Sequence, residues 1–191
     1  IYTAANIKPL YYKDGKTATV SLVEFEEGTS IRTNAKSDGA INLKPGARIS
    51  DEITMVLTAV LPLAIKPEAK NAAIIGMGTG LTVHTMLANS KIEAVETIEI
   101  EPAMVEAARG FRARNANAYA DPRNRIRIDD AKTFFSTRNS KYDIIISEPS
   151  NPWVSGVSSL FSNEFYHLVR RYLKPGGVLV QWFQLYEMDV S

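Results

Sequence analysis

Three glycines and one glutamate have the types and spacing of a site for a nucleoside cofactor. Gly76, Gly78 and Gly80 form a turn between an apolar run and a helical segment. Glycine lets a backbone turn sharply and lets a ligand approach without a Cβ in the way, and the helix after the turn points free N–H groups at the ligand. Glu99 stands near the end of the next apolar run, where a carboxylate can accept hydrogen bonds from a ribose diol. The stretch therefore predicts a nucleoside site.

The spacing of the glycines distinguishes two kinds of cofactor. The dinucleotide-binding fingerprint has its third glycine at the place that Leu81 occupies here. The turn at 76–80 reads G-x-G-x-G instead, which resembles the S-adenosylmethionine-binding turn of class I methyltransferases and their relatives. We therefore expect an adenosyl sulfonium. The alternative is that the glycines only permit tight packing between a strand and a helix.

An alternation of strands and helices predicts an α/β domain around this turn. Residues 72–100 read as strand, turn, helix and strand, and the alternation continues to residue 183. Such a pattern is typical of a doubly wound, Rossmann-like parallel sheet of the class I S-adenosylmethionine-dependent methyltransferase type, with ligands at the carboxyl ends of its strands. A sheet of this type usually ends in an antiparallel strand pair. Only residues 184–191 follow the last predicted strand, so we expect the C-terminal strands to be missing from this chain.

A second, smaller unit is predicted at the front of the chain. Short strands, joined at the hairpin signal Asp14-Gly15, alternate polar and apolar residues as half-buried antiparallel strands do. Asp38-Gly39 is interpreted as part of a loop. We therefore predict a small β domain at 1–48 and a nucleoside-binding domain at 49–191 that is incomplete at its C-terminus.

Composition argues against several other classes of protein. The 191 residues carry a formal net charge of +1, which disfavours a dedicated nucleic-acid-binding protein. Cysteine is absent, so the chain has neither a disulfide framework nor a thiolate metal site. The longest apolar run, 55–65, contains Pro62 and is too short to cross a bilayer. Ile1 is not a methionine, so we expect either that an upstream segment was removed or that the chain was cut from a longer one.

Two longer stretches resemble the spermidine synthase (polyamine aminopropyltransferase) family. They are Y-D-I-I-I-S-E-P-S-N-P-W-V-S-G at 142–156 and L-K-P-G-G-V-L-V-Q-W at 173–182, and they accompany the turn I-I-G-M-G-T-G and the sequence I-E-I-E-P. The chain looks especially similar to bacterial spermidine synthase-like proteins that are often fused behind a membrane transporter-like region. The resemblance implies a cytoplasmic transferase, either separate or as a soluble domain tethered to a membrane region outside this chain. It also implies a homodimer formed through the small β domain.

The family pattern also implies roles for individual residues. It implies aminopropyl transfer from decarboxylated S-adenosylmethionine, or use of S-adenosylmethionine itself, with a small-molecule amine as acceptor and Glu148 as its proton acceptor. A protonated amine cannot attack a carbon beside a sulfonium, so a nearby carboxylate can serve as base and as anchor, and no metal is required. Asn151 and Trp153 would lie beside the substrate. The implied cofactor residues are Gly76, Gly78, Thr79 and Gly80 in the turn, Glu99 at the ribose with Ile100 beside it, and Asp130 with Ala131 at the adenine.

Departures from the family pattern keep other functions open. Thr79 stands where the family usually has an aspartate that meets the amino group of the cofactor. At 148–152 this chain reads E-P-S-N-P, which departs from the acidic loop of the family. In the helix before the glycine turn, mostly apolar residues stand where synthases often present polar groups to the polyamine, and apolar groups would leave ammonium groups unpaired. These residues are Thr54, Met55, Val56 and Val60. The alternatives are a methyltransferase acting on an unknown acceptor and a non-catalytic nucleoside-binding domain of a membrane protein.

Simpler roles also exist for several of these residues. Glu99 could be a solvated acid at the end of a strand, and Asp130 could serve only as a helix cap. Trp153 could either cover a ligand or fill the space under its loop.

Overall fold

A small antiparallel sheet opens the part of the chain that the computed structural model describes, residues 8–150 and 157–183. Its strands are β1 (Lys8–Asp14), β2 (Thr19–Phe25), β3 (Gly28–Thr33) and β4 (Lys36–Ile41). Each strand pairs with the next one along the chain, in the order β1-β2-β3-β4. The predicted antiparallel unit is therefore present, while the predicted domain boundary at residue 48 stays a prediction.

The strand β4 corrects the expected loop at Asp38-Gly39. A two-residue turn at Asn34 and Ala35, with φ angles of 49° and 68°, joins β3 to β4. Positive φ at both positions is what a tight hairpin requires, and glycine is its usual sequence signal. Because Ala35 stands where a glycine would mark the turn, the sequence pattern concealed this hairpin.

A bulge interrupts the pairing of β3 with β4. Ile31 pairs with Gly39 and Arg32 pairs with Ser37, so Asp38 is an extra residue that has no partner in the register. Bulges of this kind change the direction of a side chain and are frequent beside active sites.

Five parallel strands form the second sheet. They are β5 (Asn71–Ile75), β6 (Ala94–Glu99), β7 (Asn124–Ile128), β8 (Tyr142–Ser147) and β9 (Leu173–Gln181). The spatial order is β7-β6-β5-β8-β9, so the chain direction across the sheet reverses between β5 and β8. All six residues of β8 are buried, as its uninterrupted apolar run predicts. The predicted doubly wound α/β fold is confirmed.

Helices connect and cover these strands. They are α1 (Ser50–Ile65), α2 (Leu81–Leu87), α3 (Pro102–Ala107), α4 (Arg112–Ala120), α5 (Ala131–Ser136) and α6 (Asn163–Arg170), with 3-10 turns at Ala108–Phe111 and Val157–Phe161. The helix α1 accommodates Pro62 in its last turn, where Pro62 O accepts a hydrogen bond from Lys66 N–H. The strand β9 includes the sequence K-P-G-G in its first half. None of the helices in the two described ranges is long and apolar enough to span a bilayer.

Glu101 fastens the small sheet to the parallel sheet. One oxygen of its carboxylate accepts hydrogen bonds from Thr17 N–H at 2.7 Å, from the Thr17 hydroxyl at 2.9 Å and from Ala18 N–H at 3.4 Å. The other oxygen caps α3 by accepting from Ala103 N–H at 3.0 Å. Burial alone would raise the pKa of Glu101, but these hydrogen bonds lower the pKa below its ordinary value. The hairpin between β1 and β2 is thereby held over the end of β6.

Candidate active site

A cavity of about 730 Å³ lies between β4, the start of α1 and the carboxyl ends of the parallel strands β5, β6, β7 and β8. It occupies the edge at which the strand order reverses, which is where doubly wound sheets bind their ligands. Its volume is within the range of about 300–1,000 Å³ found for small-molecule sites. The cavity therefore has the position and the size of a nucleoside site.

The glycine turn forms one wall of this cavity. Gly76, Gly78 and Gly80 have φ angles of 96°, 47° and 77°, a region that residues with a side chain rarely adopt. A Cβ on Gly78 would meet nothing within 4 Å, so the backbone there is open to a ligand. A Cβ on Gly76 would collide with the main-chain oxygen of Glu148, which packs directly against the turn. The glycines thus allow the backbone to adopt the turn and allow the loop that begins at Glu148 to pack directly against it.

Glu99 lies at the end of β6 beside the glycine turn, as predicted. Its two carboxylate oxygens accept hydrogen bonds from Met77 N–H and Glu101 N–H, each at 2.9 Å. Burial is the largest influence and raises its pKa to about 7, the two N–H groups oppose the increase, and the charges of Asp38 and Glu101 add to it. Glu99 is thus a buried acid that also fixes the backbone of the turn.

Just after the ends of β6 and β7 lie the residues predicted to bind beside the ribose and at the adenine. Ile100 is 48% exposed although it is apolar, and it lines the cavity together with Asp130 and Ala131. Asp130 also caps α5, because its carboxylate accepts a hydrogen bond from Thr133 N–H at 2.9 Å. The capping role of Asp130 is therefore observed, and its binding role stays a prediction.

Thr79 lines the cavity, but its hydroxyl is used inside the protein. The hydroxyl lies 2.9 Å from the sulfur of Met55 on α1 and accepts a hydrogen bond from Leu81 N–H at 3.3 Å. The Thr79 carbonyl accepts a hydrogen bond from the buried amide of Asn115 at 2.6 Å. These contacts hold the turn against α1 and α4, so the geometry favours a positioning role for the Thr79 side chain.

Glu148 follows β8 directly and faces the cavity. Burial is the main influence on this carboxyl and raises its pKa to about 7, while a hydrogen bond with the Thr82 hydroxyl opposes the increase. Its N–H donates to Ile75 O at 2.9 Å, so the start of the loop continues the pairing of β8 with β5. A carboxyl group with this pKa is present in both protonation states near neutral pH, as a general base requires.

The loop after Glu148 is described only in part. Pro149 and Ser150 line the cavity. Asn151 and Trp153, the predicted substrate residues, lie outside the described residues. Their predicted roles are therefore carried forward as predictions.

The wall formed by α1 is less apolar than the sequence suggested. Thr54 and Met55 line the cavity, together with Asp51 one turn earlier. Val56 and Val60 are 36% and 42% exposed, and they are absent from the described lining of the cavity. The expectation that four mostly apolar residues of this helix face the acceptor was wrong for these two valines, because they lie on the outer side of α1.

The charges around the cavity are strongly one-sided. Seven acidic residues and one basic residue, Lys36, belong to the described part of its lining. The acidic residues are Asp38, Asp51, Glu99, Glu101, Asp129, Asp130 and Glu148. Carboxylates at this density favour cationic ligands and disfavour ligands that carry a carboxylate.

The sequence did not point to the contribution of the small sheet. Thr17, Thr33, Ser37 and Asp38 all line the cavity. Asp38 was interpreted as a loop residue. Recognition of the two-residue hairpin turn at residues 34 and 35 would have placed it on a strand, but this turn lacks the usual glycine.

Comparisons with known proteins agree with this geometry. The spermine/spermidine synthase domain matches residues 54–188. A polyamine aminopropyltransferase of Escherichia coli O1:K1 / APEC is 35% identical over 172 residues, which are 90% of this chain and 57% of that protein. One from Alkaliphilus oremlandii (strain OhILAs) is 33% identical over 120 residues, which are 63% of this chain and 42% of that protein. The chain thus spans about half the length of the curated relatives it matches.

Solved structures show the same fold. A crystal structure of a spermidine synthase in complex with the transition-state analogue AdoDATO has a TM-score of 0.79 at 22% identity and covers 91% of this chain and 57% of its own. The spermidine synthase of Thermotoga maritima has a TM-score of 0.76 at 21% identity, with 91% and 56% covered. The family match extends over well more than half of the 191 residues. With the glycine turn, the acids at the strand ends and the small sheet in place, the chain belongs to the spermine/spermidine synthase domain family.

Proposed function

We propose that this protein transfers an aminopropyl group from decarboxylated S-adenosylmethionine to a small-molecule amine. The glycine turn and Glu99 would hold the ribose with Ile100 beside it, and Asp130 and Ala131 would hold the adenine. Glu148 would accept the proton of the attacking amine. Asn151 and Trp153 are expected beside the acceptor.

The reaction needs a base and correct alignment. The amine nitrogen attacks the propyl carbon next to the sulfonium, the C–S bond breaks, and its electron pair stays on sulfur to leave neutral methylthioadenosine. The nitrogen gains the positive charge and releases a proton to the Glu148 carboxylate. Holding the amine in line with the C–S bond supplies much of the remaining rate enhancement.

The position of the Glu148 carboxyl group, in the wall of the cavity and directly beside the glycine turn, is the observation that carries the proposal. An acid that lines an acid-rich cavity, is in backbone contact with the glycine turn and has its pKa raised to about 7 by burial is suited to take a proton from an ammonium group. An ordinary surface carboxylate would be a much weaker base. The excess of acids also favours the decarboxylated donor, because the carboxylate of S-adenosylmethionine would be repelled.

Methyl transfer to an unknown acceptor is the second candidate, and Thr79 is the observation that favours it. The residue lacks the charge that would meet the amino group of an aminopropyl donor, and its hydroxyl is already bonded within the protein. A non-catalytic nucleoside-binding domain is the third reading.

Product analysis separates these functions. The purified protein is incubated with each form of S-adenosylmethionine and a set of diamines and polyamines, and the nucleoside product is identified by mass spectrometry. Aminopropyl transfer predicts methylthioadenosine from the decarboxylated donor, formed only when an amine is present. S-adenosylhomocysteine would establish methyl transfer instead, and binding without any product would support the non-catalytic domain.

The assembly and the location of the protein are carried forward as predictions. In the small sheet, β1 is an edge strand that exposes Leu10 and Tyr12, which supports the predicted pairing of two copies through this sheet. The predicted cytoplasmic location and the membrane tether outside this chain rest on the resemblance alone.

A further inference from the structure

Asp38 is a buried acid that the chain places in the cavity without a partner. Both of its carboxylate oxygens are buried, and neither accepts a hydrogen bond of normal geometry from the described residues. The Thr33 hydroxyl, the Ser150 hydroxyl and the Thr33 N–H lie near enough to lower its pKa. Burial is the larger influence and raises the pKa of Asp38.

A β-bulge determines where the Asp38 side chain lies. Asp38 is the extra residue of the bulge between β3 and β4, a device that re-aims a side chain. The next residue, Gly39, packs so closely that a Cβ there would lie 3.2 Å from the Thr79 side chain of the glycine turn. The small sheet thus delivers this one carboxylate to the part of the cavity wall that packs against the glycine turn.

Asp38 has neighbours on both the ribose side and the acceptor side of the proposed site. Its charge raises the pKa of Glu99 at the ribose side, and its neighbour Ser150 is two residues beyond Glu148 at the acceptor side. The region between a ribose and an attacking amine is the region of the sulfonium and its alkyl chain. A buried carboxylate without a partner is costly, so its presence here calls for a cation that it meets on binding.

We propose that Asp38 is a specificity-determining residue that binds the cationic part of the donor, an adenosyl sulfonium with an alkylammonium chain, and discriminates against its neutral thioether product. The inference rests on the proposed function, because it assumes that the nucleoside occupies the glycine turn. During transfer the positive charge moves from sulfur to the attacking nitrogen. A carboxylate in the wall of the same cavity attracts the charged donor and has no such attraction for the neutral thioether that is left behind.

The test compares a charged and a neutral nucleoside with the same ribose and adenine. Binding of decarboxylated S-adenosylmethionine and of methylthioadenosine is measured by calorimetry for the unaltered protein and for Asp38→Asn. Charge-assisted hydrogen bonds have energies that predict a loss of about 10- to 100-fold in affinity for the charged ligand. The affinity for methylthioadenosine should change by less than about threefold, because that ligand has no charge to lose.

A matched control removes a negative charge from the same sheet without touching the cavity. Glu24 is exposed on β2, so Glu24→Gln should leave both affinities unchanged. The melting temperature of Asp38→Asn without ligand should be equal to or higher than that of the unaltered protein, because an unpaired buried charge has been removed. A lower melting temperature with equal weakening of both ligands would assign Asp38 to the packing of β4 and overturn the inference.

Two further outcomes separate this inference from the proposed function. If Asp38→Asn binds both ligands as the unaltered protein does, the inference fails while the proposed function stands. If the unaltered protein binds neither nucleoside, the proposed function fails, and the inference fails with it.

Discussion

The end of β6 and the end of β8 hold acids of similar pKa in different settings. Burial raises the pKa of both Glu99 and Glu148 to about 7. Two rigid N–H groups of the backbone bind Glu99, one on each oxygen, whereas a single hydroxyl, that of Thr82, opposes the rise at Glu148. The pKa alone therefore does not distinguish an acid that binds a ligand from one that acts as a base. The two carboxyl groups differ in how many of their lone pairs are already used in hydrogen bonds.

This contrast gives each acid a separate role. A carboxylate whose oxygens are fixed by the backbone is already oriented and can accept further hydrogen bonds from a ribose diol with little reorganisation. A carboxylate with few fixed donors can change its protonation state without breaking a network. We therefore expect substitutions at Glu99 to affect affinity and substitutions at Glu148 to affect turnover.

The largest effect is expected from Glu148→Gln. The amide cannot accept the proton of the amine, so turnover should fall by about 10²- to 10⁴-fold. Donor affinity measured by calorimetry should stay within about threefold, because the glycine turn and Glu99 remain intact. Glu148→Asp keeps the acid and should retain part of the activity. Equal loss of binding and turnover in Glu148→Gln would place this residue in the nucleoside site and remove the contrast.

A smaller effect on a different quantity is expected from Glu99→Gln. One oxygen is replaced by an NH₂ group, which opposes a backbone N–H and weakens the ribose contacts. Affinity for methylthioadenosine should fall by about 10- to 100-fold. The rate at saturating donor should fall much less. Glu93→Gln is a suitable control, since Glu93 is exposed near the start of β6.

An unchanged affinity in Glu99→Gln would mean that Glu99 only supports the turn. A fall in the saturated rate as large as that of Glu148→Gln would show that both acids act in the chemical step. Either outcome would end the division of roles between the two strand ends.

The smallest effect concerns the pH dependence of stability. Since the pKa of Glu148 is raised to about 7, the folded protein keeps a proton between about pH 4.5 and 7 that the unfolded chain has released, and the free energy of unfolding falls as pH rises through that window. The free energy of unfolding of Glu148→Gln should not show this fall with rising pH. Relative to the unaltered protein, it should gain about 1–3 kcal/mol between pH 5 and pH 8.

Urea denaturation at pH 5 and pH 8 measures this difference. Glu99→Gln should show the same trend from a lower starting stability, because one backbone N–H loses its acceptor at every pH. A difference between Glu148→Gln and the unaltered protein that is the same at both pH values would contradict the raised pKa.

Local patterns were sufficient to predict the parallel sheet and the acids at its edge. Apolar runs fixed β5, β6 and β8, and glycine spacing fixed the turn, because both features follow from neighbours in sequence. Since parallel strands end at one edge, Glu99 and Glu148 could be placed in one cavity before their contacts were known.

The remaining features depend on contacts between distant residues. The turn at Asn34 and Ala35 carries no glycine, so β4 and the position of Asp38 were not predictable from the local pattern. The bond from Thr79 to Met55 and the hydrogen bonds from Thr17 to Glu101 join segments far apart in the chain. Hydrophobic periodicity gives no information about such polar contacts.

The contact between Gly76 and the main-chain oxygen of Glu148 has a consequence for how the family can diversify. In the proposed function, these two touching backbones set the spacing between the donor and the base, independently of the side chains around the acceptor. Side chains on α1 can then change to admit a different amine without moving either backbone. New substrates can thus arise without rebuilding the reaction centre.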